Sequence, residues 1–133
     1  MAELKFIYPA GLMRPPTYTP VVTARGGRTI YVSGQVPLNE KGELVGKGDL
    51  AAQAEQVFRN IDIALKGAGA TFADVVKITT FVVGYRPEHR ALMHQVRAKY
   101  CSKDNPPSST LLGVQSLAVP DYLIEVEAIA VAD

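Results

Sequence analysis

Four positions in this chain have the side chains that a small polar site needs: Tyr18 in a proline-rich stretch, Ser33 beside Gly34, and Glu125 in a strand-like run near the C-terminus. A phenol and an alkyl hydroxyl can each donate or accept a hydrogen bond. A carboxylate can orient or activate a water, and Gly34, lacking a Cβ, lets a ligand come close to the backbone. Each residue also has a plainer role. Tyr18 can cover the edge of a core, and Ser33 can satisfy a backbone group at a strand end. Glu125 and Glu127 alternate with Ile124, Val126 and Ala128, as on a strand wetted on one face. Taken one at a time, these residues leave both roles open.

Other chemistries fail on spacing or composition. His89 and His94 are five residues apart on a predicted helix and do not share the face that paired metal ligands require, and no cysteine cluster accompanies them, so both are expected at the surface. There is no Gly-x-Gly-x-x-Gly, P-loop or Gly-x-Ser-x-Gly element, so neither a metal nor a nucleotide cofactor is implied. The net charge is +1, with 14 Lys and Arg residues scattered along the chain, which argues against nucleic acid or an anionic membrane as the main partner. Cys101 is the single cysteine, so an intramolecular disulfide is impossible and a reducing compartment is expected. No apolar run suggests a leader or a membrane span, and the expectation is a cytoplasmic protein.

With 133 residues, 47% of them hydrophobic, the chain fits one domain over 1–133. Strands are expected at Leu4 to Ile7, Val21 to Ala24 and Thr29 to Gln35, the last two forming a hairpin across Gly26-Gly27. Pro15, Pro16 and Pro20 keep the segment between the first strand and that hairpin extended. Asp49 can cap a helix whose apolar stripe is Leu50, Ala54, Val57, Ile61, Ala64 and Leu65. The opposite, wet side carries Gln53, Glu55, Gln56, Arg59, Asn60 and Asp62, and Gly67 and Gly69 end the helix. Val75 to Val83 is rich in β-branched residues and reads as a central strand. A second helix should run from Pro87 to about Tyr100 with Leu92, Val96 and Tyr100 on its core side, followed by strands at Ser108 to Val114 and Leu123 to Val131.

Two amphipathic helices among six strands point to an α+β layer with both helices on one face. The other sheet face then keeps its Ile, Val and Leu side chains in water unless copies associate, because apolar area is worth roughly 25 cal/mol per Å² on burial. Self-association is therefore expected.

Three motifs identify a family at this point. Tyr18-Thr19-Pro20-Val21-Val22, Val32-Ser33-Gly34-Gln35-Val36-Pro37 and Ile124-Glu125-Val126-Glu127-Ala128-Ile129-Ala130 resemble, in order and spacing, the Rid family of reactive intermediate deaminases, also called YjgF-like or L-PSP-like proteins. The resemblance implies a chorismate-mutase-like fold and a homotrimer with a barrel-like core, whose small-molecule pockets lie in the clefts between subunits. It assigns Tyr18, Ser33 and Gly34 to substrate binding and Glu125 to catalysis. In Pro107-Ser108-Ser109-Thr110-Leu111-Leu112-Gly113-Val114, Ser109 stands where the family's deaminases carry an arginine that grips the substrate carboxylate. A guanidinium makes two parallel charge-assisted hydrogen bonds, and Ser109 offers one neutral bond. The implied function is hydrolysis of a small enamine, imine or amide, with poor efficiency on 2-iminobutyrate. Arg14, Arg25 and Arg28 are the candidate replacement cations, each also readable as a solvated charge. The alternatives are a non-catalytic, metabolite-binding or chaperone-like trimer and, third, an endoribonuclease or translation inhibitor.

Overall fold

The computed structural model describes residues 1–133. Its elements, in chain order, are β1 (Glu3–Ile7), β2 (Val21–Arg25), β3 (Arg28–Gln35), α1 (Leu50–Gly67), a 3₁₀ turn (Phe72–Asp74), β4 (Val75–Val83), α2 (His89–Ala98), β5 (Ser108–Val114) and β6 (Ile124–Ala132). β3 to β6 form a four-stranded sheet in the order β3-β6-β4-β5. β4 and β5 run parallel and the other pairs antiparallel, so the sheet is mixed and β4 is internal to it, as its β-branched sequence suggests. A parallel pair needs a crossover, and α2 supplies it between β4 and β5.

Both helices pack on one face of the sheet. Val57, Phe58, Ile61 and Leu65 of α1 meet Ile78 and Val82 of β4 and Ile124, Val126 and Ala128 of β6, while α2 contributes Met93 and Val96. Asp49 caps α1, its carboxylate accepting a 3.1 Å hydrogen bond from the Ala52 N–H, an arrangement worth about 1 kcal/mol. No helix is long and apolar enough to cross a membrane.

Three local expectations are corrected. The Gly26-Gly27 turn exists, with φ of 71° and 72°, but the strands it joins do not pair as a hairpin: β2 pairs with β1, and β3 with β6. The reason lies at the two ends of β2. Just before it, Thr19 is held to Pro107 at the start of β5; just after it, Gly27 packs so tightly on the Ala132 carbonyl that an added Cβ would lie 2.3 Å from that oxygen. β2 therefore crosses the end of the sheet from the β5 side to the β3 side instead of running alongside β3. Second, Gln53 is fully buried and not on the wet side of α1. Its amide donates to the carbonyls of Gly46 and Asp121 at 3.1 and 3.0 Å and accepts from the Leu123 N–H at 2.8 Å, so the polar group is fully paired inside. Third, α2 is shorter than expected. It begins at His89 and ends at Ala98, with Met93 and Val96 as its buried residues, while Leu92 and Tyr100 are only partly buried against the core.

The face away from the helices carries Tyr31 on β3, paired with Ile129 on β6, and Phe81 on β4, paired with Leu112 on β5. Tyr31 is 77% exposed. That face has no helix over it.

Candidate functional site

Sheet register decides which candidate residues can meet within one chain. Ser109 is the partner of Ile78, a core residue beneath the helices, so its side chain belongs to the helix face. Glu125 is the partner of Phe81, three residues further along the same strand, and alternation places it on the opposite face. The five candidates accordingly fall into two groups.

The first group surrounds a cleft of about 340 Å³ beside α2. Tyr18 and Ser109 both line it, together with Thr17, Thr80, Tyr85, Met93 and Leu111 and the three basic side chains Arg90, His94 and Arg97. The N-terminal segment is fastened there through Thr19, whose hydroxyl donates a 2.5 Å hydrogen bond to the Pro106 carbonyl and whose N–H donates to Pro107 at 3.2 Å. Those bonds bring Tyr18 to the mouth of β5. Arg97 reaches the Thr17 carbonyl with Nη2 at 3.4 Å, while its Nε is buried with no hydrogen-bond partner. Neither Arg90 nor Arg97 takes part in any of the four ion pairs of the chain. Burial, and then the charges of Arg90 and Arg97, hold the His94 imidazole below its usual pKa of 6.5, so it is neutral at pH 7. Cys101, on the far side of Arg97, has its thiol pushed up chiefly by burial, against the charge of that arginine and a hydrogen bond from it, and is not a ready nucleophile.

The second group lies on β3 and β6. Val32 pairs with Ala128 and Gln35 with Val126, so three steps on β3 oppose two on β6 and the extra residue makes a β-bulge at Ser33-Gly34. Ser33 is exposed and its carbonyl accepts a 3.2 Å hydrogen bond from the Gln35 amide. The Glu125 carboxylate sits directly on Gly34, where an added Cβ would lie 2.2 Å from Glu125 Oε2. Gly34 thus gives close access to a protein carboxylate, a use the sequence alone did not suggest.

The three arginines proposed as substitutes lie elsewhere. Arg14 stacks over the Tyr8 ring, 3.9 Å from its centroid, and Arg25 lies on β2 opposite Glu3. Arg28 is spent on two backbone carbonyls, those of Asp133 at 2.7 Å and Ala68 at 3.1 Å. The basic side chains beside Ser109 are instead Arg90, His94 and Arg97, and the sequence carries a signal for their grouping: a spacing of four and then three residues puts them on one helical face with Met93.

Comparison with known proteins identifies the family. The family model described as Endoribonuclease L-PSP matches residues 13–132. The chain belongs to the Rid (YjgF-like, L-PSP) family. Among Rid relatives, it is similar to the 3-aminoacrylate deaminase RutC of Acinetobacter baylyi, 33% identical over 95% of this chain and 96% of that protein. It is also 28% identical to a 2-iminobutanoate/2-iminopropanoate deaminase of Dermatophagoides farinae over 80% of each chain. Among solved structures, the Rid protein YyfB of Yersinia pestis superposes with a TM-score of 0.89 at 39% identity, covering 97% of this chain and 98% of that one. The α+β fold with two helices on a mixed sheet is that of the family.

Proposed function

We propose that this chain is a metal-independent hydrolytic deaminase of a small enamine or imine, working in the cytoplasm as a homotrimer. The observation that carries the reading is the Glu125 carboxylate seated on Gly34 at the Ser33-Gly34 bulge, three positions that match the family motifs at once. The activities for which the two deaminase relatives are named support the substrate class.

In this mechanism Glu125 holds a water and takes its proton as the oxygen attacks the carbon of the C=N bond. The nitrogen is protonated, the C–N bond of the resulting carbinolamine breaks, ammonia leaves and a carbonyl compound remains. Tyr18 and Ser109 bind the substrate from the α2 side. Because Tyr18 and Ser109 share a cleft while Glu125 lies across the sheet in the same chain, a complete site requires the second group from a neighbouring subunit. The Tyr31 and Phe81 side chains on the sheet face that no helix covers provide a reason for subunits to associate.

The test is ammonia release from 2-iminobutyrate generated in place and from a panel of unsaturated amines and amides, with wild type and Glu125→Gln. Wild type should accelerate at least one member, with lower efficiency on 2-iminobutyrate than a relative bearing the β5 arginine, and Glu125→Gln should lower kcat/KM by about 10² to 10⁴. No acceleration across the panel, or a stable monomer in sedimentation at micromolar concentration, overturns it. Saturable ligand binding without turnover would favour the non-catalytic reading, which Ser109 keeps open by replacing an arginine with a neutral hydroxyl. The ribonuclease reading has the description of the matching family model behind it, but no side-chain arrangement supports it: His89 is occupied by the Arg86 N–H at 3.1 Å and an edge contact with Tyr85, leaving no histidine pair.

A further inference from the structure

The α2 cleft holds two guanidinium groups without anionic partners, and in one of them, which otherwise bonds the Thr17 carbonyl and the Cys101 thiol, the buried Nε has no oxygen acceptor. An unpaired polar atom in that position costs free energy unless something satisfies it. Arg97 Nε is that atom, and the Arg97 guanidinium lines both the cleft that contains Ser109 and the adjoining one of about 420 Å³ that contains Lys103. Arg90 poses a second conflict. It lies in the first turn of α2, where the helix dipole favours acidic side chains and disfavours a cation by about 0.3 to 1 kcal/mol. A residue that works against local stability in a concave site is the pattern expected of function.

From these observations we infer that Arg90 and Arg97 of α2 form an anion site that holds the carboxylate of the ligand, taking over from helix α2 the task that an arginine at position 109 would perform from β5. Ser109 and Tyr18 add neutral hydrogen bonds from the facing wall. His94, neutral between the two arginines, can accept or donate one more without adding charge. Tyr85, Met93 and Leu111 line the rest of the cleft, which suits a short hydrocarbon chain attached to the anion and is not needed for inorganic phosphate. The ligand class is therefore a small organic acid. That it is an imino or enamino acid rests on the deaminase reading above; the anion site does not.

The probe is 2-oxobutyrate, a stable compound with the carboxylate and carbonyl of a hydrolysed imino acid, compared with butanone, which lacks the carboxylate, and with inorganic phosphate. Binding is followed by titration calorimetry and by the His94 ring resonances. Wild type should bind 2-oxobutyrate and move the His94 signals, and butanone should do neither. Arg97→Gln should weaken binding by about tenfold or more and Arg97→Lys should recover part of it, because a lysine restores charge but not the planar fork. Arg90→Gln, at an exposed position that does not threaten folding, should weaken it by about threefold. Unchanged 2-oxobutyrate affinity in both glutamine variants, or phosphate binding tighter than 2-oxobutyrate, overturns the inference. Arginine-dependent binding with no turnover of any imine would sink the deaminase reading and leave the anion site standing. Imine turnover indifferent to both arginines would do the reverse.

Discussion

The α2 cleft and the β3-β6 bulge carry opposite charge and are built by opposite means. The cleft gathers Arg90, His94 and Arg97 from a helix against neutral residues of β4, β5 and the N-terminal segment, and leaves its two arginines without anionic partners. The bulge holds one carboxylate, Glu125, pressed onto a glycine backbone on the other sheet face. One is suited to hold an anion, the other to move a proton. A single chain keeps them apart because a strand alternates its side chains between faces, so residues three apart on β4 mark opposite sides of the sheet. The separation is thus a property of register, and it explains why residues of the family's motifs do not form one pocket in one subunit.

The largest effect that separates the two regions should come from Gln53. Gln53→Leu leaves the Gly46 and Asp121 carbonyls and the Leu123 N–H without their side-chain partner, and is expected to cost about 3 kcal/mol of stability in denaturant unfolding. The loosening should be local at first. Leu123 stands two residues before Glu125, so hydrogen exchange should accelerate at the start of β6 before it does in α2. Equal acceleration in both would show that the regions are not mechanically separate.

Gly34→Ala tests the bulge directly. Its Cβ would displace the Glu125 carboxylate, which is the flexible end of a side chain, so the fold can absorb the change. Deaminase kcat/KM should fall by about a hundredfold, the cost of a misplacement near 1 Å, while the unfolding midpoint stays close to wild type. 2-Oxobutyrate binding at the α2 cleft should be unaffected. A large loss of stability instead would mean that Gly34 is a packing requirement and not a catalytic one.

Ser109→Arg sharpens the cleft side. A guanidinium on β5 adds a charge-assisted hydrogen bond worth about 1.5 to 3 kcal/mol where it can reach the ligand. With Arg90 and Arg97 already present and repelling it, the expected gain on 2-iminobutyrate is about tenfold, and confined to substrates that carry a carboxylate. A gain on neutral amines would detach the effect from carboxylate recognition.

The smallest effect is a pH dependence. His94 has a folded pKa below its unfolded value of 6.5, so between the two the unfolded chain binds the extra proton and stability rises with pH. Its contribution is complete above about pH 6.5 and is lost as the pH falls toward the folded pKa. Thermal unfolding of wild type should therefore drop more between pH 7.5 and 5.5 than that of His94→Gln, with other titrations common to both. Saturating 2-oxobutyrate should shrink the difference, since a bound anion favours the imidazolium. An identical acid response in the two proteins would remove His94 from the electrostatics of the cleft.

Much of this molecule can be read along the chain. The β-branched run Val75–Val83, the capped helix after Asp49 and the strand Ser108–Val114 follow from local chemistry: period, capping and β-branching act over a few residues, and β4 and β5 appear with the bounds their composition predicts. The family likewise follows from short motifs, because a Ser-Gly-Gln bulge and an alternating Glu strand keep their order whatever surrounds them. The partnerships of β2, the burial of Gln53 and the pairing of Glu125 with Gly34 are different in kind. Each depends on a residue far away in sequence: Pro107 and Ala132 direct β2, Asp121 and Leu123 satisfy Gln53, and the β3-β6 register sets Glu125 on its glycine. The replacement for the missing β5 arginine belongs with them. A spacing of four and three residues made Arg90, His94 and Arg97 neighbours on a helix, but only the packing of α2 beside β5 turned that face toward Ser109, because a helix's periodicity says which side chains travel together and the tertiary fold says what they face.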